Sequence, residues 1–459
     1  FSDVGLQLGD GTTPYVIVQN GTGTFLIDSL GLAGQVSASM SLQNIADVSL
    51  TAAVQVSINN RNASVNEAFM VGGQMLSLNL PAGPYVRVEA TGVTLSVFGQ
   101  SIGGNFLFEQ VATNGPVPGK IVRVAASNIS LNLGDGIVTL TNGNGALLLK
   151  DGGMAAHIGG TVALNVPGVQ FQGTFNLSIN NLTTSVDEQF MLGGETINLT
   201  VPAGPFISVE GTDVSLVVAG QTLRGDFKFE KSTAAGPDKM IGTLDDVAVI
   251  RVAAKNVELK LGDGTTDFVV VTQGQGALLI NSAGMAGTLS GNVALNVPGI
   301  TFTGTFGIAI NNTIVAVDET FMVGDESVVL DLPAGPYVQV SGTNVQLEML
   351  GQRLSGDFSF SKTTKAGVDR MFGTMDDQNV VAIGLNNIGL GLGDGTTEFV
   401  TVSGGQGALL ITPAGLAGTI SASVAINGIP DVEFSGRFGL SVNNTMAAVN
   451  EKIMVGGKE

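Results

Sequence analysis

The chain of 459 residues contains 66 Gly, no Cys and no Trp, and its formal net charge is −19. The lack of Cys excludes disulfides, thiolate metal ligands and thiol nucleophiles. The excess of Asp and Glu argues against binding to nucleic acid or to anionic membranes, both of which need Lys and Arg. With 44% hydrophobic residues the chain is too apolar to be disordered. No apolar run is long enough to cross a bilayer as a helix, so we expect a folded protein without a membrane span.

A Leu-Gly-Asp-Gly motif divides the chain into repeats. The intervals between its Asp residues are 125, 128 and 131 residues, for Asp10, Asp135, Asp263 and Asp394. Self-similarity at a nearly constant period predicts a repeat array. We place the repeats at 1–119, 120–248, 249–379 and 380–459, of which the first and the last are partial. Because both ends of the chain are out of phase with the repeat, we expect it to be a window on a longer array or a processed piece of one.

Within each repeat, a strand precedes the motif, a second strand follows it, and a β-hairpin comes next. The hairpin is clearest at Met285–Ile310, where apolar and polar residues alternate on both sides of the turn Asn296–Gly299. Period-two alternation predicts antiparallel strands with an apolar face that is buried and a polar face that is wet. The same hairpin recurs at Leu32–Ile58, Met154–Ile179 and Leu416–Val442.

After each hairpin, a loop leads to a Phe-Met or Ile-Met pair that we expect to be buried, and a Pro-Ala-Gly-Pro turn and two more strands follow. The one candidate for helical structure is a single turn at Val317–Met322. The sequence therefore predicts an all-β fold of tandem antiparallel β-repeats, about 128 residues each, stacked into an elongated rod. A continuous β-sheet or solenoid and an array of β-sandwiches are both compatible with this pattern.

The longest insertions, at 231–247 and 362–379, carry the densest charge of the array. Calcium requires several convergent oxygen ligands, and these loops supply carboxylates in two repeats. The alternative is a solvated charged loop. The candidate calcium ligands are Asp238, Asp245, Asp246, Asp369, Asp376 and Asp377. The Gly-Asp-Gly sequences, in contrast, are interpreted as tight turns in which Asp bonds the backbone, because neither the Lys nor the helix of a phosphate loop follows.

The sequence shows no catalytic constellation. His157 is the single histidine and has no counterpart in the other repeats, which favours a strand or surface role. Paired carboxylates can serve glycoside hydrolysis, but those at Glu67, Glu188, Glu319 and Glu451 are neighbours in sequence of an Asn or Asp in every repeat. Turn or capping roles fit them better, and we predict no enzymatic activity. Asn-x-Ser/Thr sequons predict glycosylation at Asn62, Asn181, Asn311 and Asn443, if the source glycosylates.

Short motifs recur with the repeat: Leu-Gly-Asp-Gly, Gly-Leu-Ala-Gly-Thr at Gly415–Thr419, Ala-Leu-Asn-Val-Pro-Gly at Ala294–Gly299, and Pro-Ala-Gly-Pro at Pro333–Pro336. In these motifs the chain resembles the tandem β-repeats of very large secreted bacterial surface proteins, namely adhesins, matrix fibres and stalks. The resemblance implies an extracellular or cell-surface structural protein, a rod or filament subunit for attachment or matrix. Such a protein would associate with itself through exposed strand edges. The alternative is an adhesin stalk whose ligand, a surface glycan or a protein, binds elsewhere in the full chain.

Overall fold

The computed structural model confirms the all-β fold. It describes residues 1–9, 14–44, 48–97, 100–113, 119–133, 136–150, 153–166, 169–192, 195–218, 221–234, 243–262, 265–297, 299–323, 325–365, 371, 374–450, 452–453 and 455. These residues contain 28 strands and no helix. The described part of the chain therefore contains no helix that could cross a membrane.

Two compact units make up the chain, the first from Phe1–Thr212 with Glu230–Asp246 and the second from Asp213–Phe229 with Val247–Glu459. The strands of the first unit are β1 Val4–Gly9, β2 Pro14–Asp28, β3 Gly31–Leu42, β4 Val48–Asn59, β5 Val65–Val71, β6 Gln74–Leu80, β7 Tyr85–Val97, β8 Gln100–Thr113, β9 Gly119–Leu133, β10 Val138–Lys150, β11 Gly153–Val166, β12 Val169–Asn180, β13 Val186–Leu192 and β14 Glu195–Val201.

Residues of both units contribute to β15 (Phe206–Val218) and β16 (Gln221–Ala234). The strands of the second unit are β17 Val247–Gly262, β18 Asp267–Asn281, β19 Gly284–Val297, β20 Ile300–Asn311, β21 Val317–Val323, β22 Glu326–Leu332, β23 Tyr337–Met349, β24 Gln352–Lys365, β25 Gln378–Gly393, β26 Glu398–Thr412, β27 Gly415–Ile426 and β28 Phe434–Asn443. Twenty-two of the 28 strands belong to one antiparallel sheet, and the other six form three two-stranded hairpins.

Within each unit the sheet passes through a repeat boundary without a break. In the first unit, β8 pairs with β9 as far as Thr113 opposite Gly119. In the second unit, β24 pairs with β25 as far as Lys365 opposite Gln378. Consecutive repeats inside a unit therefore share backbone hydrogen bonds. This confirms the continuous-sheet alternative over separate sandwiches, since a sandwich array would interrupt the ladder between repeats.

The long strands are divided by β-bulges. Between β9 and β10 the register shifts on either side of Gly143, and Asn128 and Asn142 have φ angles of 53° and 54°. Asn tolerates this left-handed conformation better than most residues, and the extra residue of a bulge restarts the inside–outside alternation. Between these bulges and the strand ends nearest the inserted hairpins, alternate residues of a strand stay on the same face of the sheet.

Each two-stranded hairpin packs on one face of the sheet, which we call the covered face. In the first unit, the hairpin β13–β14 directs every second side chain toward the sheet, as the period of a strand requires. Full burial of each such aliphatic or aromatic side chain contributes roughly 1.5–3 kcal/mol. The resulting core consists of Val186, Phe190, Leu192, Ile197, Leu199 and Val201 from the hairpin, Leu182 from the preceding loop, and Leu107, Ala125, Ala146, Leu148 and Ala155 from the sheet.

The other two hairpins repeat this arrangement. The hairpin β5–β6 supplies Val65, Leu78 and Leu80, which pack on Ala33 of β3. The hairpin β21–β22 contacts β17, β18 and β19. Its buried side chains are Val317, Phe321, Val323, Val328, Leu330 and Leu332. The same insertion therefore builds one local core in each repeat for which the hairpin is described.

Two details of the sequence-based prediction are wrong. The segment predicted as a helical turn, Val317–Met322, lies in strand β21. The Phe-Met pairs are not buried together: Phe190 is 3% exposed, whereas Met191 is 55% exposed. Both differences have the same cause, because neighbouring residues in a strand point to opposite faces and only one face of the hairpin meets the sheet. In the fourth repeat, Met454 lies outside the described residues.

The four repeated hairpins form as predicted, as the pairs β3–β4, β11–β12, β19–β20 and β27–β28. The prediction that their apolar face is the buried one is wrong. Leu289 is 55% exposed and Ile308 is 48% exposed, whereas Ala286 on the opposite face is buried. The inserted hairpins pack on the face that carries the polar residues, so the apolar face of the sheet is left open.

Candidate functional site

A buried Asn ties each inserted hairpin to the sheet. The Asn180 side chain is fully buried at the end of β12. Its Nδ2 donates to the carbonyl oxygens of Thr184 at 2.9 Å and Pro202 at 2.6 Å, and its Oδ1 accepts from Leu182 N at 2.8 Å. These bonds join the sheet, the loop that enters the hairpin and the Pro-Ala-Gly-Pro turn that leaves it.

The same three bonds recur in the neighbouring repeats. Asn59 donates to Ala63 O and Pro81 O and accepts from Arg61 N. Asn311 donates to Val315 O at 2.9 Å and Pro333 O at 2.8 Å and accepts from Thr313 N at 2.9 Å. A buried amide with its donors and acceptor satisfied is a specific structural device, because each lost bond would leave a buried polar group unpaired.

The following Asn completes this connection. Asn312 Oδ1 accepts from Met285 N at 2.5 Å, at the start of β19. The preceding Gly284 has a φ of +140°, and a β-carbon there would lie 2.3 Å from Asn312 Oδ1. Only glycine fits this position without strain. Sequence reasoning missed the paired asparagines; the available signal was their recurrence at one phase of the repeat, at 59–60, 180–181, 311–312 and 443–444.

The predicted glycosylation sites lie at or near these asparagines. Asn62 and Asn181 are exposed. Asn311 is fully buried and its amide nitrogen donates two hydrogen bonds, so the folded chain has no room for a glycan there. Asn443 is exposed, and its Nδ2 donates to Ala447 O at 3.0 Å. Glycosylation stays a prediction for the three exposed positions.

The recurring glutamates form ion pairs between hairpin and sheet. Glu188 on β13 lies 2.7 Å from Arg123 Nη2 on β9, and Arg123 also approaches Glu109, which pairs with Arg87 at 2.7 Å. In the second unit, Glu319 lies 3.4 Å from Arg251.

These glutamates lie inside strands, so the turn or capping prediction is wrong for Glu188 and Glu319. Their sequence neighbours Asp187 and Asp318 are exposed on the other face of the hairpin, so the two carboxylates do not face each other across a cleft. Glu67 is exposed on β5, and Glu451 lies outside the described residues.

His157 occupies the covered face of β11. Its Nδ1 is 2.8 Å from Ser178 Oγ on β12. Burial lowers the pKa of His157 below its usual value, and the negative charge of Glu210 opposes this shift. The neutral imidazole is therefore favoured, in a hydrogen bond between adjacent strands.

The two acidic loops have a common local geometry. Thr243 Oγ1 donates to Asp245 Oδ1 at 2.6 Å, and Thr374 Oγ1 donates to Asp376 Oδ1 at 2.7 Å. The described residues include no group of three or more His, Cys, Asp or Glu side chains that could hold a metal ion. The candidates Asp238 and Asp369 lie outside the described residues. Calcium binding through Asp245–Asp246 and Asp376–Asp377 stays a prediction.

The Gly-Asp-Gly turn is described in the fourth repeat. Asp394 Oδ1 accepts from Thr397 N at 2.8 Å and from Thr396 N at 2.9 Å, between β25 and β26. These backbone hydrogen bonds hold the pKa of the Asp394 carboxyl below its usual range. The interpretation as a tight turn is confirmed for Asp394; Asp10, Asp135 and Asp263 lie outside the described residues.

The face opposite the hairpins, which we call the open face, is apolar in both units. Adjacent strands place apolar residues side by side along rows that cross the sheet. In the first unit one row contains Val36, Val56, Val88, Phe108, Val124, Leu147, Ala156 and Ile179. In the second unit a row contains Leu289, Ile308, Val340, Phe360, Ile383, Leu409, Gly418 and Val442.

Comparisons with known proteins give this chain no family. No family model matches its sequence, and no curated protein matches it. Among solved structures, it is similar to BauA, the ferric preacinetobactin receptor from Acinetobacter baumannii, at 10% sequence identity and a TM-score of 0.20. The alignment covers 96% of this chain and 72% of that one. A likeness at this level carries no argument about fold or function.

Proposed function

We propose that the chain is a structural segment of an extracellular, repeat-built rod or filament that serves attachment or matrix. The observation that carries this proposal is the unbroken strand ladder between consecutive repeats inside each unit, such as the pairing of β8 with β9. Neighbouring repeats that share backbone hydrogen bonds cannot move as separate beads, and they add stability to one another. The proposal assigns no catalytic role to the chain.

The internal construction of a repeat supports the same function. The hairpin insert, its buried asparagine and the Arg–Glu pairs all connect elements of the repeat to one another. The Gly-rich, Cys-free composition agrees with a secreted bacterial repeat protein. An extracellular location, self-association and contact with surface glycans belong to the proposal through the resemblance to adhesin and matrix arrays.

Electron microscopy of the purified chain over a range of concentrations tests this function. We expect linear assemblies whose axial spacing matches the repeat. Discrete globular particles at every concentration would refute the rod or filament role. Discrete extended particles, resistant to stretching by force spectroscopy, would instead support the alternative of an adhesin stalk.

A further inference from the structure

We propose that the open face is an interface at which two copies of this chain pack sheet against sheet. This inference rests on the proposed function and deepens it, because it names the surface through which the rod or filament would assemble. Three features of the open face support this inference: its polarity, the shape of its surface and its exposed area.

The polarity of the two faces is the reverse of what an isolated sheet requires. An antiparallel sheet with one free face normally directs polar side chains to solvent. Here the free face carries the apolar rows, and the neighbouring row on the covered face contains Gln35, Ser57, Arg87, Glu109, Arg123, Leu148, Ala155 and Asn180. A sequence patterned in this way matches an environment in which the open face is covered.

Charge is nearly absent from this face. Beside the apolar row of each unit, a second row of residues crosses the open face. Its polar residues are Gln110, which lies between Val86 and Val122 in the first unit, and Lys362, which lies between Val338 and Val381 in the second unit. The chain as a whole carries a net charge of −19. Two copies would therefore repel each other wherever their acidic surfaces meet, and a face without carboxylates is where they can approach.

The relief of the open face suits another sheet. Glycines lie directly opposite bulky residues on neighbouring strands, as in Gly34 opposite Phe25 and Gly145 opposite Ile158. A β-carbon at Gly34 would lie 2.1 Å from the Phe25 ring, because the Phe25 side chain lies over Gly34 on the neighbouring strand.

Equivalent shallow grooves result in the second and third repeats. The groove of the second repeat has a volume of about 340 Å³ and is lined by Val124, Leu147, Ile158 and Leu177. That of the third, about 280 Å³, is lined by Val252, Leu278, Leu289 and Ile308. Ridges and grooves that recur with the repeat fit the interdigitated packing of two sheets about 10 Å apart.

The exposed area is large enough for such an interface. The chain exposes 25893 Å². Two separate domains that divide its mass of 46.6 kDa equally would expose about 19,000 Å². The excess, about 7,000 Å², exceeds the roughly 1,600 Å² that a standard stable interface buries in total. The exposed side chains of the open face include Val56, Val88, Phe108, Ile158, Leu289, Ile308 and Phe360.

Sedimentation equilibrium of the whole chain and of two matched variants tests the interface. Ile158 on the open face is 53% exposed, and Met191 on the outer side of the hairpin β13–β14 is 55% exposed. We expect the unmodified chain to dimerise or associate further. Ile158→Glu should raise the dissociation constant at least about tenfold, because it buries a carboxylate in the interface. Met191→Glu should leave it within about twofold.

Two checks keep the result interpretable. Far-UV circular dichroism shows whether Ile158→Glu folds. If it does not, Val88→Thr replaces it, because threonine keeps the β-branched shape and still places a hydroxyl in the interface. An unmodified chain that stays monomeric at its highest soluble concentration would overturn the inference. A monomer that binds neutral phosphatidylcholine vesicles would also overturn it, in favour of a lipid partner.

Microscopy of the same samples separates this inference from the proposed function. Filaments that persist in Ile158→Glu would preserve the proposed function and overturn the open-face interface. Dimers that disappear in Ile158→Glu, together with the absence of filaments in the unmodified chain, would support the interface and refute the filament.

Discussion

Replacement of Asn180 by alanine tests the connection between hairpin and sheet. The side chain is fully buried and makes three hydrogen bonds, to Thr184 O, Pro202 O and Leu182 N. Alanine would leave two carbonyl groups and one N–H without these partners. An unsatisfied buried polar group costs about 1–3 kcal/mol, so we expect the hairpin β13–β14 to lose about 3–5 kcal/mol of local stability.

Hydrogen exchange followed by mass spectrometry measures this loss where it occurs. Because 1.4 kcal/mol corresponds to a factor of ten in an equilibrium, the amides of β13 and β14 should exchange more than about 100-fold faster in Asn180→Ala. Amides of β8 and β9, which the sheet holds independently, should change less.

Two further variants define what the result means. Asn198→Ala is the matched control, since Asn198 is exposed on the outer face of β14 and a surface change of this kind is usually worth less than about 0.5 kcal/mol. Asn180→Asp keeps the volume and removes the amide donors, so it should also speed exchange. Unchanged exchange in Asn180→Ala, or equal effects of the two alanine variants, would refute the reasoning.

Three other predictions follow from the site. In thermal unfolding, Gly284→Ala should lower the stability of the chain more than Gly299→Ala does. Both glycines have positive φ, but only at Gly284 would a β-carbon also clash with Asn312. Equal losses of stability in the two variants would contradict this prediction. NMR titration should give His157 a pKa below the usual value for histidine, since burial lowers it. Below the usual pKa the unfolded chain then binds more protons than the folded chain, so the free energy of unfolding should fall as the pH decreases through this range. A raised pKa of His157 would contradict this prediction. Calcium titration by calorimetry should give a binding signal, and the double change of Asp245→Asn and Asp246→Asn in the second repeat should reduce that signal. A signal that the double change leaves unaffected would show that these residues are not ligands.

The all-β class, the repeat period and the four repeated hairpins could be predicted from the sequence. These features depend on local rules, namely the alternation of side chains along a strand and the turn chemistry of Gly, Asp, Asn and Pro. Asp394 illustrates the point, because its hydrogen bonds to Thr396 N and Thr397 N are local and its turn was predicted correctly.

The tertiary structure decided which face of the sheet is covered. The alternation in Met285–Ile310 distinguishes an apolar from a polar face. It does not predict on which of these faces a hairpin from a later part of the chain will pack. The hairpins pack on the face of Arg123, Glu109 and Asn180, where ion pairs and buried hydrogen bonds satisfy the polar groups. Partners more than 60 residues apart, such as Arg123 and Glu188, meet only when the chain has folded. For the same reason the Asn-Asn pairs could be counted in the sequence, while their role depended on the turn that the fold brings to them.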